Sequence, residues 1–317
     1  MPGKKKKKKN EHERLAVLSL ALFVTLVGIA VIGSLFVLPK MSPPKTAATK
    51  PLSITIDKMP ATSIPGKGDI HEGSSAERRG SDANRLEDAL MMPSGRSNAR
   101  MAIIIDDVGV NKHPVRQLLE IDVPITFSIL PGQTHSRNLA EEIHKAGHEV
   151  MLHLPMEPID GNGENIDKDT LLLSHSPEEL KSLARELIKS IPYAAGANNH
   201  MGSLLTQNSG SMRIIMEEIK GAHLYFIDSL TTPWSLAQST AREKGIKSAG
   251  RDIFIDDDRN EENIRKALFQ AIRHAKRRGS TIAIGHPYSV TIKVLGEMKD
   301  EFKKAGVKLV YASELVR

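Results

Sequence analysis

Two adjacent carboxylates, Asp106 and Asp107, close the apolar run Met101–Ile105, and chemistry is first expected there. A buried parallel strand reads as a near-continuous apolar stretch, and this one stops where charge must meet solvent or a cation. Adjacent side chains on an extended chain point to opposite sides, so the pair is not expected to share one role. One carboxylate can bind a cation while its neighbour handles a proton, although an acidic turn is the plainer reading of an isolated pair. Further polar residues follow: His153 and Glu157 in HEVMLHLPME, Asn198, Asn199 and His200 in GANNHMGS, and Asp228 and Ser229 in FIDS. Arg251, Asp252 and Asp256 in RDIFID and His286 in IAIGHP complete the series. Imidazole and carboxylate are ordinary ligands of Zn²⁺ in an open catalytic site. Glu157 is expected either as such a ligand or as the group that orients His153 through its other ring nitrogen.

These residues need a frame that brings them together. Strand-like runs are expected at Met101–Asp106, Ile125–Leu130, His148–His153, Ala194–Asn198, His223–Asp228, Ile253–Ile255, Thr281–Gly285 and Val307–Val310. Helical patterns lie between them, at Val115–Glu120, Ser136–Ala146, Pro177–Ser190, Met212–Lys220, Ser235–Lys244, Glu261–Arg278 and Val294–Ala305. Such alternation implies a parallel sheet wrapped by helices, here an incomplete (β/α) barrel of seven or eight strands. Chemistry in a barrel collects at the C-terminal ends of the strands, where the polar residues above fall. No GxGxxG or P-loop pattern opens a helix, which argues against a nucleotide site.

The catalytic frame is confined to Arg100–Arg317, and what precedes it is of another kind. Residues 1–14 carry Lys4–Lys9 and Arg14 against Glu11 and Glu13; without them the 44 basic and 38 acidic residues fall to 37 and 36. The basic character of the chain therefore belongs to its tail, and nucleic-acid binding by the folded part is not expected. Leu15–Leu38 is 24 residues without a charge, long enough to cross a bilayer, and is read as an uncleaved transmembrane signal anchor. The excess of positive charge before it predicts a cytoplasmic N-terminus and a domain outside the inner membrane, in the periplasm of a bacterium or its equivalent. Residues 39–99 hold seven of the 17 prolines and no Phe, Trp or Tyr, and are read as a disordered tether. The absence of cysteine decides nothing about compartment.

The motifs together resemble those of the divergent polysaccharide deacetylase family, a branch of the superfamily that includes chitin and peptidoglycan N-deacetylases. The resemblance covers Met101–Arg317. It implies Asp106 as the catalytic base and Asp107 as a metal ligand, with ITFSILPG (Ile125–Gly132) as the following strand. Gly147–Glu149 and His153 match the superfamily's histidine motif, but Glu157 stands where its second histidine belongs. NNHMGS replaces the usual arginine–proline motif, so His200 is a further candidate for the third ligand. His286 matches the final histidine motif and is implied as the general acid. The implied reaction is hydrolysis of an N-acetyl group on an amino-sugar polymer, assisted by a divalent metal, Zn²⁺ before others.

Asp228, or Asp252 with Arg251, is expected to orient His286 or bind sugar hydroxyls, with a structural ion pair at a strand end as the competing reading, and Asn199 is expected to touch substrate or to support the ligands. Trp234, the one tryptophan, is expected to be buried at a helix start, sugar stacking being the alternative. Two other classes stay open: a glycan-binding or envelope-scaffolding module that has lost catalysis, and a metal hydrolase of another amide or ester.

Overall fold

The computed structural model describes residues 98–160 and 166–317. The expected basic tail, membrane anchor and tether lie outside the described residues. Among those described, no helix is long and apolar enough to cross a membrane.

Nine parallel strands form one sheet: β1 (Ala99–Val108), β2 (Thr126–Ile129), β3 (Glu149–Met156), β4 (Ala194–Met201), β5 (Tyr225–Asp228), β6 (Ser248–Gly250), β7 (Ile253–Phe254), β8 (Ser280–Gly285) and β9 (Val307–Val310). Seven helices intervene: α1 (Lys112–Leu119), α2 (Ser136–Lys145), α3 (Pro177–Ser190), α4 (Ser209–Gly221), α5 (Ala237–Glu243), α6 (Glu261–Arg278) and α7 (Ser289–Lys304). The spatial order is β6-β5-β4-β3-β2-β1-β8-β7, with β9 paired to the start of β1. Because β6 and β7 are edges, the barrel is incomplete, as expected. The count exceeds the expected seven or eight strands by β6, whose Ser-Ala-Gly carries no apolar run to mark it.

The interior of β1 alternates between two cores. Met101, Ile103 and Ile105 pack among the helices, whereas Ala102 and Ile104 join Met151, Tyr225, Ile227, Ile282, Ile284, Val310, Ala312 and Leu315 in a second cluster on the other face. A strand buried on both faces must be apolar throughout, which explains the unbroken run. All residues of both cores lie between Ala99 and Leu315, so this unit carries its own apolar interior. Its helices are delimited by local chemistry. Ser176 and Glu179 form a capping box at α3, behind Pro177. Asn260 caps α6, which begins with Glu261 and Glu262, ends with Lys276–Arg278, and stops at Gly279 in the left-handed conformation. Gly196 on β4 serves close approach, since a Cβ there would lie 2.4 Å from the ring of Tyr225.

Candidate active site

Asp106 and Asp107 face the same cluster, against the expectation of opposite directions. Asp107 adopts φ of 57°, and the β1–β2 register shifts between Ile105 and Val108. The left-handed residue cancels the alternation of an extended chain, and aspartate is among the residues that tolerate it best. Both carboxylates thereby reach His153: its Nε2 lies 3.7 Å from Asp106 Oδ2 and 3.2 Å from Asp107 Oδ1.

His200 reaches the same point from the neighbouring strand, where it pairs with Pro155. Its Nδ1 lies 3.1 Å from Asp107 Oδ1 and 3.1 Å from His153 Nε2. Asp107, His153 and His200 thus present three ligand atoms to one point. In a tetrahedral site with bonds of about 2.0–2.1 Å, neighbouring ligand atoms stand about 3.3 Å apart, close to these separations. Asp107 Oδ1 is buried between the two imidazoles, yet no contact to it has the geometry of a hydrogen bond. An orphaned carboxylate oxygen facing two imidazole nitrogens is the chemistry of a cation site.

Glu157 does not join them. His153 and Glu157 are separated by four residues of extended chain, about 13 Å, whereas the same spacing on a helix would bring them together. Glu157 instead accepts a hydrogen bond from Leu173 N at 2.6 Å through Oε2, while its carbonyl receives Leu204 N and Leu205 N. It ties loops together, and it does not orient His153 either.

That task falls to Asn198, which is fully buried and adjacent to His153 in the β3–β4 register. Its Oδ1 lies 2.8 Å from His153 Nδ1 and accepts from Ser128 Oγ at 2.6 Å. Its Nδ2 donates to Asp106 Oδ1 at 2.8 Å and to Ser229 Oγ at 3.2 Å. An amide oxygen can only accept, so in the neutral ring Nδ1 of His153 carries the proton and the Nε2 lone pair faces the ligand cluster. One amide therefore sets the histidine tautomer and steadies the carboxylate beside it.

His286 completes the rim, with Nε2 3.8 Å from Asp107 Oδ2. Asp256 orients it, its Oδ1 lying 2.9 Å from His286 Nδ1 and its Oδ2 accepting from His286 N at 2.7 Å. Asp228 and Asp252, the expected partners of His286, are occupied elsewhere. Asp228 accepts from Leu230 N, Ser235 Oγ and Gln238 N, and Asp252 accepts from Ile282 N. Arg251 donates to the carbonyls of Ser229 and Leu230 and stacks 5.0 Å over Phe254. Asn199 accepts from Ser229 N and donates to Met201 O. These residues brace the loop after β5 from below. Trp234, on that loop, is 71% exposed rather than buried.

Electrostatics separates the groups. Burial pushes Asp106 above its ordinary carboxyl range, against the opposing pull of His153, Asn198 and His286. Burial acts on Asp107 in the same sense, but His153 and His200 outweigh it and hold the carboxyl well below its usual range. Burial also works against charge on His153, yet Asp106 and Asp107 raise its pKa to about 8. His286 is likewise raised, because Asp256, Asp107 and Asp106 overcome its burial.

A curled parallel-sheet α/β half-barrel thus carries an Asp-His-His cluster at its strand ends, with a buried carboxylate and a carboxylate-backed histidine beside it. A sequence profile of the divergent polysaccharide deacetylase family matches residues 103–316, and the chain belongs to that family. YibQ, an uncharacterized protein of Escherichia coli K12, is 39% identical over 217 residues, 68% of this chain and 67% of that one. An uncharacterized protein of Haemophilus influenzae is 32% identical over 199 residues, covering 63% and 70%. Among solved structures, the uncharacterized protein ATU2773 of Agrobacterium tumefaciens C58 superposes with a TM-score of 0.66 at 22% identity, over 73% of this chain and 94% of that one. This last likeness concerns the fold.

Proposed function

We propose that the domain is a metal-dependent hydrolase that removes N-acetyl groups from an amino-sugar polymer of the cell envelope. The observation that carries this reading is the orphaned Asp107 Oδ1, held 3.1–3.2 Å from the ring nitrogens of His153 and His200. A divalent ion held by Asp107, His153 and His200, Zn²⁺ being the best match to this ligand set, would supply Lewis-acid polarisation of the acyl oxygen and a more acidic water. The chain's own residues then divide the proton work. Asp106, whose burial raises its affinity for a proton, takes one from the attacking water through the oxygen not held by Asn198. His286, whose affinity for a proton is raised by Asp256 and the neighbouring carboxylates, gives one to the leaving amine. Base and acid stand on different strands, so the two transfers use separate groups, as a reaction moving protons in opposite senses requires.

The exposed Trp234 and Leu230, 71% and 37% accessible on the braced loop, offer apolar area to the face of a sugar ring. In this reading Leu15–Leu38 anchors the chain in the inner membrane with its N-terminus in the cytoplasm, and the domain works on the far side. Elemental analysis of wild type, Asp107→Ala and His153→Ala, beside acetate release from N-acetylglucosamine oligomers, tests the proposal. About one ion per wild-type chain, lost in both variants together with acetate release, is expected. A wild type that takes up no ion when supplied with Zn²⁺, or that releases acetate equally well without it, overturns the proposal.

A further inference from the structure

At the opposite end of the sheet, about 20 Å from Asp106 along β1, lies a cavity of about 750 Å³. Its lining includes Asn98, Arg100, Arg278, Ser280, Lys308 and Arg317, among them four cations and no carboxylate side chain. The arrangement follows from strand register, since Arg100 pairs with Ser280 on one side and with Lys308 on the other. Arg100 lies on the face of β1 that carries Ala102 and Ile104, so the cations ring the strand-start mouth of the inner core. Helix-dipole compensation accounts for Arg278 in the last turn of α6. It does not account for Arg100, Lys308 or Arg317, which are on no helix.

Arg100 donates to the carbonyl of Glu314, and among the described residues none of the four is in an ion pair. The nearby carboxylates are turned to other donors: Glu314 Oε1 accepts from Tyr311 N, and Glu149 Oε1 accepts from Thr126 Oγ1, Tyr225 OH and Ser313 N. Cationic residues from three strand or helix ends and the C-terminal segment lining one open cavity suit an anion with several oxygens, for which the arginine fork is shaped. Asn98, the first described residue, also lines the cavity.

We infer that this cavity is an anion site that takes a phosphate group, either free or as the headgroup of an anionic phospholipid. It is independent of the ligand cluster at the other end. The test uses residues 71–317, which contain both cores, keep the chain ahead of Asn98 so that no new α-ammonium enters the cavity, and lack the Lys4–Lys9 run that would itself attract anions. Isothermal titration with inorganic pyrophosphate at low ionic strength is set beside sedimentation with phosphatidylcholine vesicles, with and without phosphatidylglycerol. Saturable binding to pyrophosphate or to the anionic vesicles is expected, weakened about fivefold by Arg278→Gln or Lys308→Gln and unchanged by Asp107→Ala. Pyrophosphate binding identifies a soluble source, and binding to anionic vesicles alone identifies the headgroup. No binding in either arm, or binding that the double variant Arg278→Gln/Lys308→Gln retains in full, overturns the inference.

Discussion

Replacing Asn198 by aspartate would change little in shape and would put a carboxylate oxygen where the amide nitrogen now stands, 2.8 Å from Asp106 Oδ1. Two unit charges at that distance, in a medium of effective dielectric constant about 20, repel by about 6 kcal/mol. That exceeds four pKa units, so near neutrality the pair shares one proton. A carboxyl whose folded pKa lies above its unfolded value of about 3.9 weakens the fold progressively as pH rises between the two values. The slope is about 1.4 kcal/mol per unit, giving a ceiling of about 4 kcal/mol between pH 5 and 8. His153, whose pKa is about 8 without metal, keeps a positive charge beside the pair over most of this range and offsets part of the repulsion. Asp106 of the wild type is itself raised by burial and carries part of the same slope, so metal-free Asn198→Asp is expected to lose stability relative to wild type as pH rises across that interval, by less than this ceiling.

Urea unfolding of both proteins at successive pH values measures the difference directly. Asn198→Leu is the control, because it gives up all four hydrogen bonds of the amide without adding a charge, whereas Asn198→Asp loses only the two donated by Nδ2. Its cost, about 4 kcal/mol for bonds that include charged partners, is expected to vary much less with pH. A flat difference between Asn198→Asp and wild type from pH 5 to 8 would mean that the amide nitrogen does not face Asp106. The assignment of the His153 tautomer through Asn198 would then fall with it.

Three further outcomes follow from the same geometry. Glu157→Gln is expected to keep the wild-type metal content while His200→Ala loses it, because only His200 shares the Asp107–His153 cluster; elemental analysis that reverses this order refutes the assignment. Asp256→Asn removes the carboxylate that raises His286, so the alkaline limb of the activity profile is expected to move towards lower pH, and an unmoved limb would deny His286 the role of acid. Gly196→Ala sets a methyl 2.4 Å from the buried Tyr225 ring, and a loss of at least 1–3 kcal/mol by calorimetry is expected, roughly the cost of overpacking a core; a neutral result would show that the ring can move aside.

The frame was legible because buried parallel strands and amphipathic helices write periodic patterns into a chain. The positions of Asp106, Asp107, His153, His200 and His286 at strand ends were readable for the same reason. What could not be read was partnership across strands. His153 and Asn198 are neighbours only through the β3–β4 register, and nothing in their sequence separation of 45 residues announces it. Asp256 was visible as a strand-end carboxylate beside Asp228 and Asp252, but which of the three would back His286 depends on the pairing of β7 with β8. Trp234 misled because an apolar ring is usually buried, whereas here the Asp228, Asn199 and Arg251 contacts hold its loop outward.

The misdirected expectation at Glu157 shows how local geometry decides which spacing can serve as a ligand motif. A residue four positions beyond His153 would be a neighbour on a helix, but β3 continues to Met156 and carries Glu157 away. The third ligand must then come from a strand alongside, and the pairing of Pro155 with His200 supplies it two residue pairs beyond the His153–Asn198 rung, on the same face of the sheet. The bulge at Asp107 is the complementary device, since without φ of 57° the second carboxylate would face the helix layer. Three ligand atoms thus depend on two departures from simple reading, one in register and one in a single dihedral. A substitution that forbids the left-handed conformation at Asp107, such as a β-branched residue, removes both the ligand and the turn that aims it. Asp107→Asn keeps the turn and alters only the ligand, so comparing the metal content and stability of Asp107→Asn with those of Asp107→Val separates the two contributions.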